Sequence, residues 1–300
     1  MKKKTYLFTL MAMALTLGSC SDNENGIGGE TSKYITVSTS IGNMTRVATD
    51  AKGGQTFEEG DEISVYAWTG DATVAPETRE RVVNNAINKL TNGSWVSTPQ
   101  MLWKNNRDKH YFIGVYPTAA ISDLSAGEYT FDVNKQTESD LLVAVNKDGL
   151  SYNVDEQQTV PLTFTHVMAK LAVNLTYKNQ WGGIPTVEKV VVGNAAKEAT
   201  INYLTKVVTP STTAKEDFSL PEITENAKYV SVIIPQEDVK QLTIVIGGKN
   251  FVYDNGTPFK LESGKITTVN LEVGRDEIKL GDVKITNWED GSTFSGEALN

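Results

Sequence analysis

The chain has 300 residues, 39% hydrophobic and 22% charged, enough for two ordinary cores of ~150 residues each in a folded rather than disordered or fibrous protein. With 28 Lys and Arg against 37 Asp and Glu, the formal charge of −9 argues against a nucleic-acid partner, because phosphate binding relies on clustered cations. One cysteine makes neither an intrachain disulfide nor a thiolate zinc site, and two histidines leave little material for metal or acid–base chemistry.

In chain order, Lys2, Lys3 and Lys4 precede an apolar run from Tyr6 to Leu17 that meets Gly18 and Ser19. Charged, then apolar, then small is the order of an export signal over residues 1–19, and the run is too short for a permanent membrane span. A buried N-terminal helix is the alternative. Leu17-Gly18-Ser19-Cys20 resembles a bacterial lipobox, in which signal peptidase II cuts before the cysteine and the thiol carries a diacylglycerol. Cys20 is then a lipidation site, with palmitate-type chains anchoring at about 0.8 kcal/mol per buried methylene; otherwise it is a buried free thiol. Residues 1–19 hold three lysines and no acid, so the chain from Cys20 carries 25 basic and 37 acidic residues, formally −12. Anionic lipid repels such a body, so attachment to a membrane would come from the lipid. Residues 20–32 are polar and Gly-rich and read as a flexible tether.

Most of the remaining chain alternates with period two and breaks at Gly, Asn and Pro, the pattern of an all-β sandwich. Lys33 to Ile41 puts Ile35, Val37 and Ile41 on one phase before Gly42-Asn43. Ile63, Val65 and Ala67 alternate next. From Pro76 to Leu90 the spacing of Val82, Val83, Ala86, Ile87 and Leu90 predicts one short amphipathic helix, with Glu77, Arg79, Glu80 and Arg81 on its solvated face. Asp155-Glu156-Gln157-Gln158 suggests a boundary near Asn153 to Val160, giving an N-terminal domain at 33–157 and a C-terminal one at 158–275. Further strands follow at Val187 to Val192, at Val230, Val232 and Ile234, at Leu242, Ile244 and Ile246, at Phe251 to Tyr253 and at Ile266 to Val273. Asp254-Asn255-Gly256 reads as a hairpin turn. In the last segment, 276–300, Ile278 and Leu280 occupy one phase and Val283 and Ile285 the other, with Gly281-Asp282 between them and Trp288 beyond. That reads as two short strands joined at a glycine break.

Chemistry is scarce. HExxH, GxSxG, P-loop and GxGxxG motifs are missing from the sequence, so the residues suggest no catalytic site, no cofactor and no metal. His110 and His166 read as structural residues at strand ends. Glu58, Glu59, Asp61 and Glu62 could suggest paired carboxylates, but Glu59-Gly60-Asp61 reads better as a turn into the strand of Ile63.

Several segments together resemble the fimbrillin family of Bacteroidota, the subunits of protease-assembled (type V) pili. They are the lipobox, Thr45-Arg46-Val47-Ala48 after the first strand, and Phe57 to Ile63 followed by Val65-Tyr66. Trp95, Trp103, Phe112 to Pro117, Asp140 to Ala144 and Pro161 to Leu171 also fit, as do Leu261 to Val273 and Ile285 to Trp288. The acids Asp22 and Glu24 behind Cys20 resemble, more weakly, the surface-export signal of lipoproteins from the same bacteria. The resemblance implies two transthyretin-like β-sandwich domains in tandem and a structural role without catalysis. It implies a lipid-anchored precursor at the outer membrane and a place in a surface fimbria that supports adhesion. An Arg-specific extracellular protease would cut after Arg46, leaving Val47 as the new N-terminus, and a strand from another fimbrial subunit would fill the vacated groove. Ile278, Leu280, Val283, Ile285 and Trp288 are the donor-strand candidates. By the residues alone, Arg46 reads as a plain surface arginine, and 276–300 equally as an ordinary last strand of the second domain. A second reading is an uncleaved lipoprotein that anchors or tips a fimbria, or binds glycans through exposed tryptophans such as Trp103.

Overall fold

A computed structural model describes residues 33–42, 56–254 and 256–288. The signal segment, Cys20, the tether, Arg46, Val47 and Asn255 lie outside the described residues. The strands are, in chain order, β1 (Thr36–Ile41), β2 (Glu62–Thr69), β3 (Arg81–Thr91), β4 (Ser94–Thr98), β5 (His110–Tyr116), β6 (Gly127–Thr130) and β7 (Leu142–Leu150). There follow β8 (Thr159–His166), β9 (Ala169–Tyr177), β10 (Val187–Ala196), β11 (Glu198–Asn202), β12 (Val207–Pro210), β13 (Lys215–Ser219) and β14 (Glu222–Thr224). The last are β15 (Lys228–Ile233), β16 (Gln241–Ile246), β17 (Lys249–Asp254), β18 (Lys265–Val273) and β19 (Ile278–Asn287). The expectation of an all-β chain holds for the described residues, whose helix is limited to one 3-10 turn, Thr78–Glu80.

The first sheet has the order β1-β8-β7-β5-β2-β3-β4 and curls until its two edge strands face each other. Beside them, Ile35 N–H donates to Met101 O at 3.0 Å and Trp103 N–H to Lys33 O at 3.2 Å. The concave side holds one core, to which β1 contributes Val37 and the residue before it Ile35, β2 Ile63, Val65 and Ala67, β5 Phe112, and β8 Val160, Leu162 and Phe164. The alternate residues of the same strands, Tyr66 and Trp68 on β2, Ile113 and Val115 on β5, and Val143 on β7, face a second core shared with the rest of the chain. Strand alternation thus supplies two cores from one sheet, because period two sends neighbouring side chains to opposite faces.

The second half builds a five-stranded sheet, β14-β15-β9-β18-β19, a four-stranded sheet, β13-β10-β16-β17, and a three-stranded one, β12-β11-β6. Leu171, Val173, Val269 and Leu271 of the first and Val190, Val192, Leu242 and Ile244 of the second belong to one continuous core. Gly247 and Gly248, at φ 59° and 71°, close the two-residue hairpin between β16 and β17, where both positions need the left-handed region. The halves interlock: β6 pairs with β11, and β8 pairs with β1 and β7. The Asp155–Gln158 stretch therefore lies in the connection between two hydrogen-bonded neighbours of the first sheet.

Three expectations are corrected. The segment from Pro76 to Leu90 is not a helix but the 3-10 turn followed by β3. Val65 pairs with Ala86 and Ala67 with Val83, so β3 carries a bulge, with Asn85 at φ 57°. The bulge brings Val83 and Ala86, three residues apart, into the same core and so imitates a helical spacing. Arg81 is buried rather than solvated, its guanidinium donating to Ile121 O at 2.6 Å and Ser122 O at 2.7 Å. Finally, β17 pairs with β16 and not with β18, so the stretch around Asp254 and Gly256 starts a crossing to another sheet; Gly256 N–H donates to the Asp254 carboxylate at 2.9 Å.

Candidate functional site: the two terminal strands

β1 pairs with a neighbouring strand along one edge only, while the residues just before it, Lys33 and Ile35, bond to Trp103 and Met101 on the other side. It runs parallel to β8, from Thr36 opposite Thr159 to Ile41 opposite Phe164, and Gly42 N–H donates to Phe164 O at 2.7 Å. Hydroxyl pairs reinforce the register on the exposed face, Thr36 with Thr159 and Ser40 with Thr163, each at 3.2 Å. Ile35 and Val37 point inward, 3% and 6% exposed, and Ile41 packs partly on the same core. On the other side a groove of about 780 Å³ separates β1 from β4, lined by Ile41, Phe57, Leu90 and Trp95. Trp95 crosses it, its indole N–H donating to Thr39 Oγ1 at 3.0 Å. Phe57 fills one end, edge-on to Trp95, Tyr116 and Phe164 at 5.3, 5.4 and 5.1 Å. β1 is thus a six-residue insert between β8 and β4, carrying alternating apolar side chains into a core.

β19 is the mirror case at the other end of the chain. It pairs with β18 from Ile278 opposite Val273 to Asn287 opposite Lys265. Leu280 faces Leu271 and Asp282 faces Asn270, so Gly281 is an extra residue. The glycine break is therefore a bulge within one continuous strand, not a joint between two strands. It reverses the phase: Ile278, Leu280, Val283 and Ile285 all stand opposite the core-facing Val273, Leu271, Val269 and Thr267. Yet Leu280, Val283 and Ile285 remain 38%, 38% and 39% exposed, and only Ile278 packs partly against the core. β19 presents an apolar stripe that its own chain covers incompletely.

Trp288, one residue past β19, is only 3% exposed. Its ring stacks on His166 with centroids 4.1 Å apart and planes 8° from parallel, and Lys170 Nζ lies 4.1 Å from its centroid. The Trp288 backbone N–H donates to Gly264 O at 2.9 Å. His166 Nδ1 is 2.8 Å from Asp140 Oδ1.

Other candidate residues are structural. Asp61 N–H donates to Glu58 O at 3.0 Å, and Glu58 N–H to Asp61 Oδ2 at 2.7 Å, closing the turn before β2. The Glu59 carboxylate accepts from Asn92 N–H at 2.7 Å, and Glu62 pairs with Lys89 at 2.9 Å. His110 opens β5 and His166 closes β8. His110 is buried, accepts the Lys104 N–H on Nε2 at 3.0 Å and holds Nδ1 3.1 Å from Asp108 O; burial, its largest influence, depresses its pKa. Trp103 is buried edge-on against His110 and Phe112, so it is not an exposed platform for a glycan. Among the described residues no group of three or more His, Cys, Asp or Glu is placed to hold a metal. Sequence reasoning missed the Trp95–Thr39 and Trp288–His166 contacts; both join residues far apart in the chain, and local periodicity carries no trace of them.

A fimbrillin-like family model matches residues 45–288. The candidate fimbrium subunit Fim1C of Bacteroides uniformis is 24% identical over 97% of each chain. The fold is similar to that of two solved candidate cell adhesion proteins. One, from Bacteroides ovatus, gives a TM-score of 0.65 at 17% identity over 85% of this chain and 98% of that one. The other, from Bacteroides uniformis, gives 0.62 at 19% identity with the same coverage. The match of the family model runs from just before Arg46 through both interlocked halves to Trp288, and the chain belongs to the fimbrillin-like family.

Proposed function

We propose that this protein is a structural subunit of a cell-surface fimbria, supporting adhesion, and that it polymerises by strand exchange. The observation that carries the reading is the seating of β1, an edge strand paired on one side, open to a groove on the other, and followed five residues after Ile41 by Arg46. Cleavage after Arg46 frees that strand together with Cys20. Its loss bares the β8 amides and the positions against Ile35 and Val37, a state that calls for a replacement strand. Strand addition supplies backbone bonds and alternating side chains at once. Ile278, Leu280, Val283, Ile285 and Trp288 belong to the donor, whose stripe is already half uncovered in its own chain.

In this reading Cys20 carries the lipid that delivers the precursor to the outer membrane, an Arg-specific extracellular protease processes it, and neighbouring subunits replace the lipid as anchor. The two halves are read as transthyretin-like sandwich units, with sheet membership changing after His166.

N-terminal mass spectrometry of sheared surface filaments tests the proposal. Chains beginning at Val47 support it; chains in the filament beginning at lipidated Cys20 sink it and favour the uncleaved anchor or tip. Arg46→Ala is expected to abolish polymerisation and leave a folded, lipid-bearing monomer.

A further inference from the structure

β19 holds to its own chain by backbone pairing with β18 while its side chains from Lys279 to Asn287 stay exposed. Its apolar anchoring is concentrated at the ends, in Ile278, partly packed, and in Trp288, which is almost fully enclosed. The Trp288 ring meets both an imidazole and an ammonium group: His166 stacks on it and Lys170 lies over it. His166 belongs to β8, the strand that also seats β1. The C-terminal strand is thus pinned to the first sheet, not only to its neighbour.

We propose that Trp288 is an intramolecular clamp that retains β19 on its own chain, set on a part of β8 that loss of β1 leaves in place. The pairing decides the second half of that statement. β1 reaches only to Phe164, through Ile41 and the Gly42 N–H. His166 is held instead from the other side. It pairs with Leu142 of β7, its Nδ1 meets Asp140, and the next residue, Val167, donates its N–H to Leu141 O at 3.0 Å. Removing β1 therefore opens the groove without disturbing the clamp, and release of the donor is a separate step. A processed subunit keeps its C-terminal strand folded back until a neighbour's open groove competes for it. This inference rests on the strand-exchange reading for its consequence, but the clamp itself is a property of the uncut monomer.

The test uses the full mature chain. Amide hydrogen exchange on uncut Trp288→Ala is expected to rise about tenfold over Lys279–Asn287, a local opening, while β9 and β16 keep their protection. Lys170→Met, which leaves the donor strand's own side chains intact, should raise it about threefold. After cleavage by an Arg-specific protease, Lys170→Met, which keeps every donor side chain, should polymerise about threefold faster than wild type, and both variants should stay monomeric when uncut. Unchanged exchange over β19 overturns the clamp. So does a rise spread equally over β9 and β16, which would make Trp288 an ordinary core residue. Failure of Lys170→Met to quicken assembly, or polymerisation of an uncut variant, overturns the separate release step. If cut wild-type protein does not assemble at all, the strand-exchange reading fails by itself, and exchange on the uncut chain still decides the clamp.

Discussion

Trp95 of β4 reaches across the mouth of the first sheet to Thr39 of β1, its indole N–H 3.0 Å from the Thr39 hydroxyl oxygen. This bond joins the two edges of a seven-stranded sheet and is a tie on the free side of β1. Trp95→Phe keeps the ring against Phe57 and removes the donor, a loss of about 1 kcal/mol. Exchange at Thr36–Ile41 should rise about fivefold with the melting temperature nearly unchanged. Equal protection in both proteins would show that the Trp95 bond does not help to secure the strand.

Burial makes β1 part of the core despite its edge position. Ile35→Ala should cost about 2–3 kcal/mol in urea unfolding, because the side chain is 3% exposed within a closed cluster. The same change at Ile285, 39% exposed on β19, should cost well under half as much. The ratio of the two measures how differently the two terminal strands are seated.

Gly114 of β5 has no room for a side chain. A Cβ there would lie 2.6 Å from Phe164 Cζ and 3.2 Å from Leu162 Cδ1, the ring and methyl that fill the concave core. Gly114→Ala should destabilise by about 1–3 kcal/mol through overpacking, read by thermal unfolding. Pairing it with Phe164→Leu, which shortens the obstructing side chain, should recover part of the loss.

His110 sets a pH dependence. Burial lowers its folded pKa below the unfolded value of about 6.5, so the unfolded chain binds the proton more readily. Its contribution is fully present above pH of about 6.5 and is lost as pH falls through the depressed folded pKa. The neutral ring accepting from Lys104 N–H fits the same sign. Urea unfolding of wild type should weaken between pH 7 and about pH 5, and His110→Gln should weaken less over that window. Parallel slopes would remove His110 as the source.

Deleting Gly281 tests the bulge. Without it, Val283 and Ile285 turn to the opposite face of β19 from Leu280. The expected outcome is faster exchange over Asp282–Asn287 and loss of polymerisation in a chain that still folds, since β18 keeps its pairing with β9.

Much of the fold is local information. Alternation marks the stretch before Gly42 and the strands at Ile63 and Leu242, because half-burial on a pleated sheet needs period two. The same information misled where one residue was inserted. On β3 the bulge at Asn85 imitated a helix, and on β19 the bulge at Gly281 looked like a joint between strands of opposite phase. A bulge is defined by the partner strand, which no local window contains.

The sequence by itself determined an all-β chain with a single cysteine behind an export-like leader, an apolar first strand ahead of Arg46, and an apolar last segment. Only the tertiary structure decided that β1 runs parallel to β8 rather than beside its neighbour in sequence, that the first sheet curls to face Trp95 with Thr39, and that Trp288 is stacked on His166. Those contacts join residues more than fifty positions apart. Which distant surfaces meet is settled by the burial of all the strands together, whereas alternation and turn residues are set by each strand's own backbone.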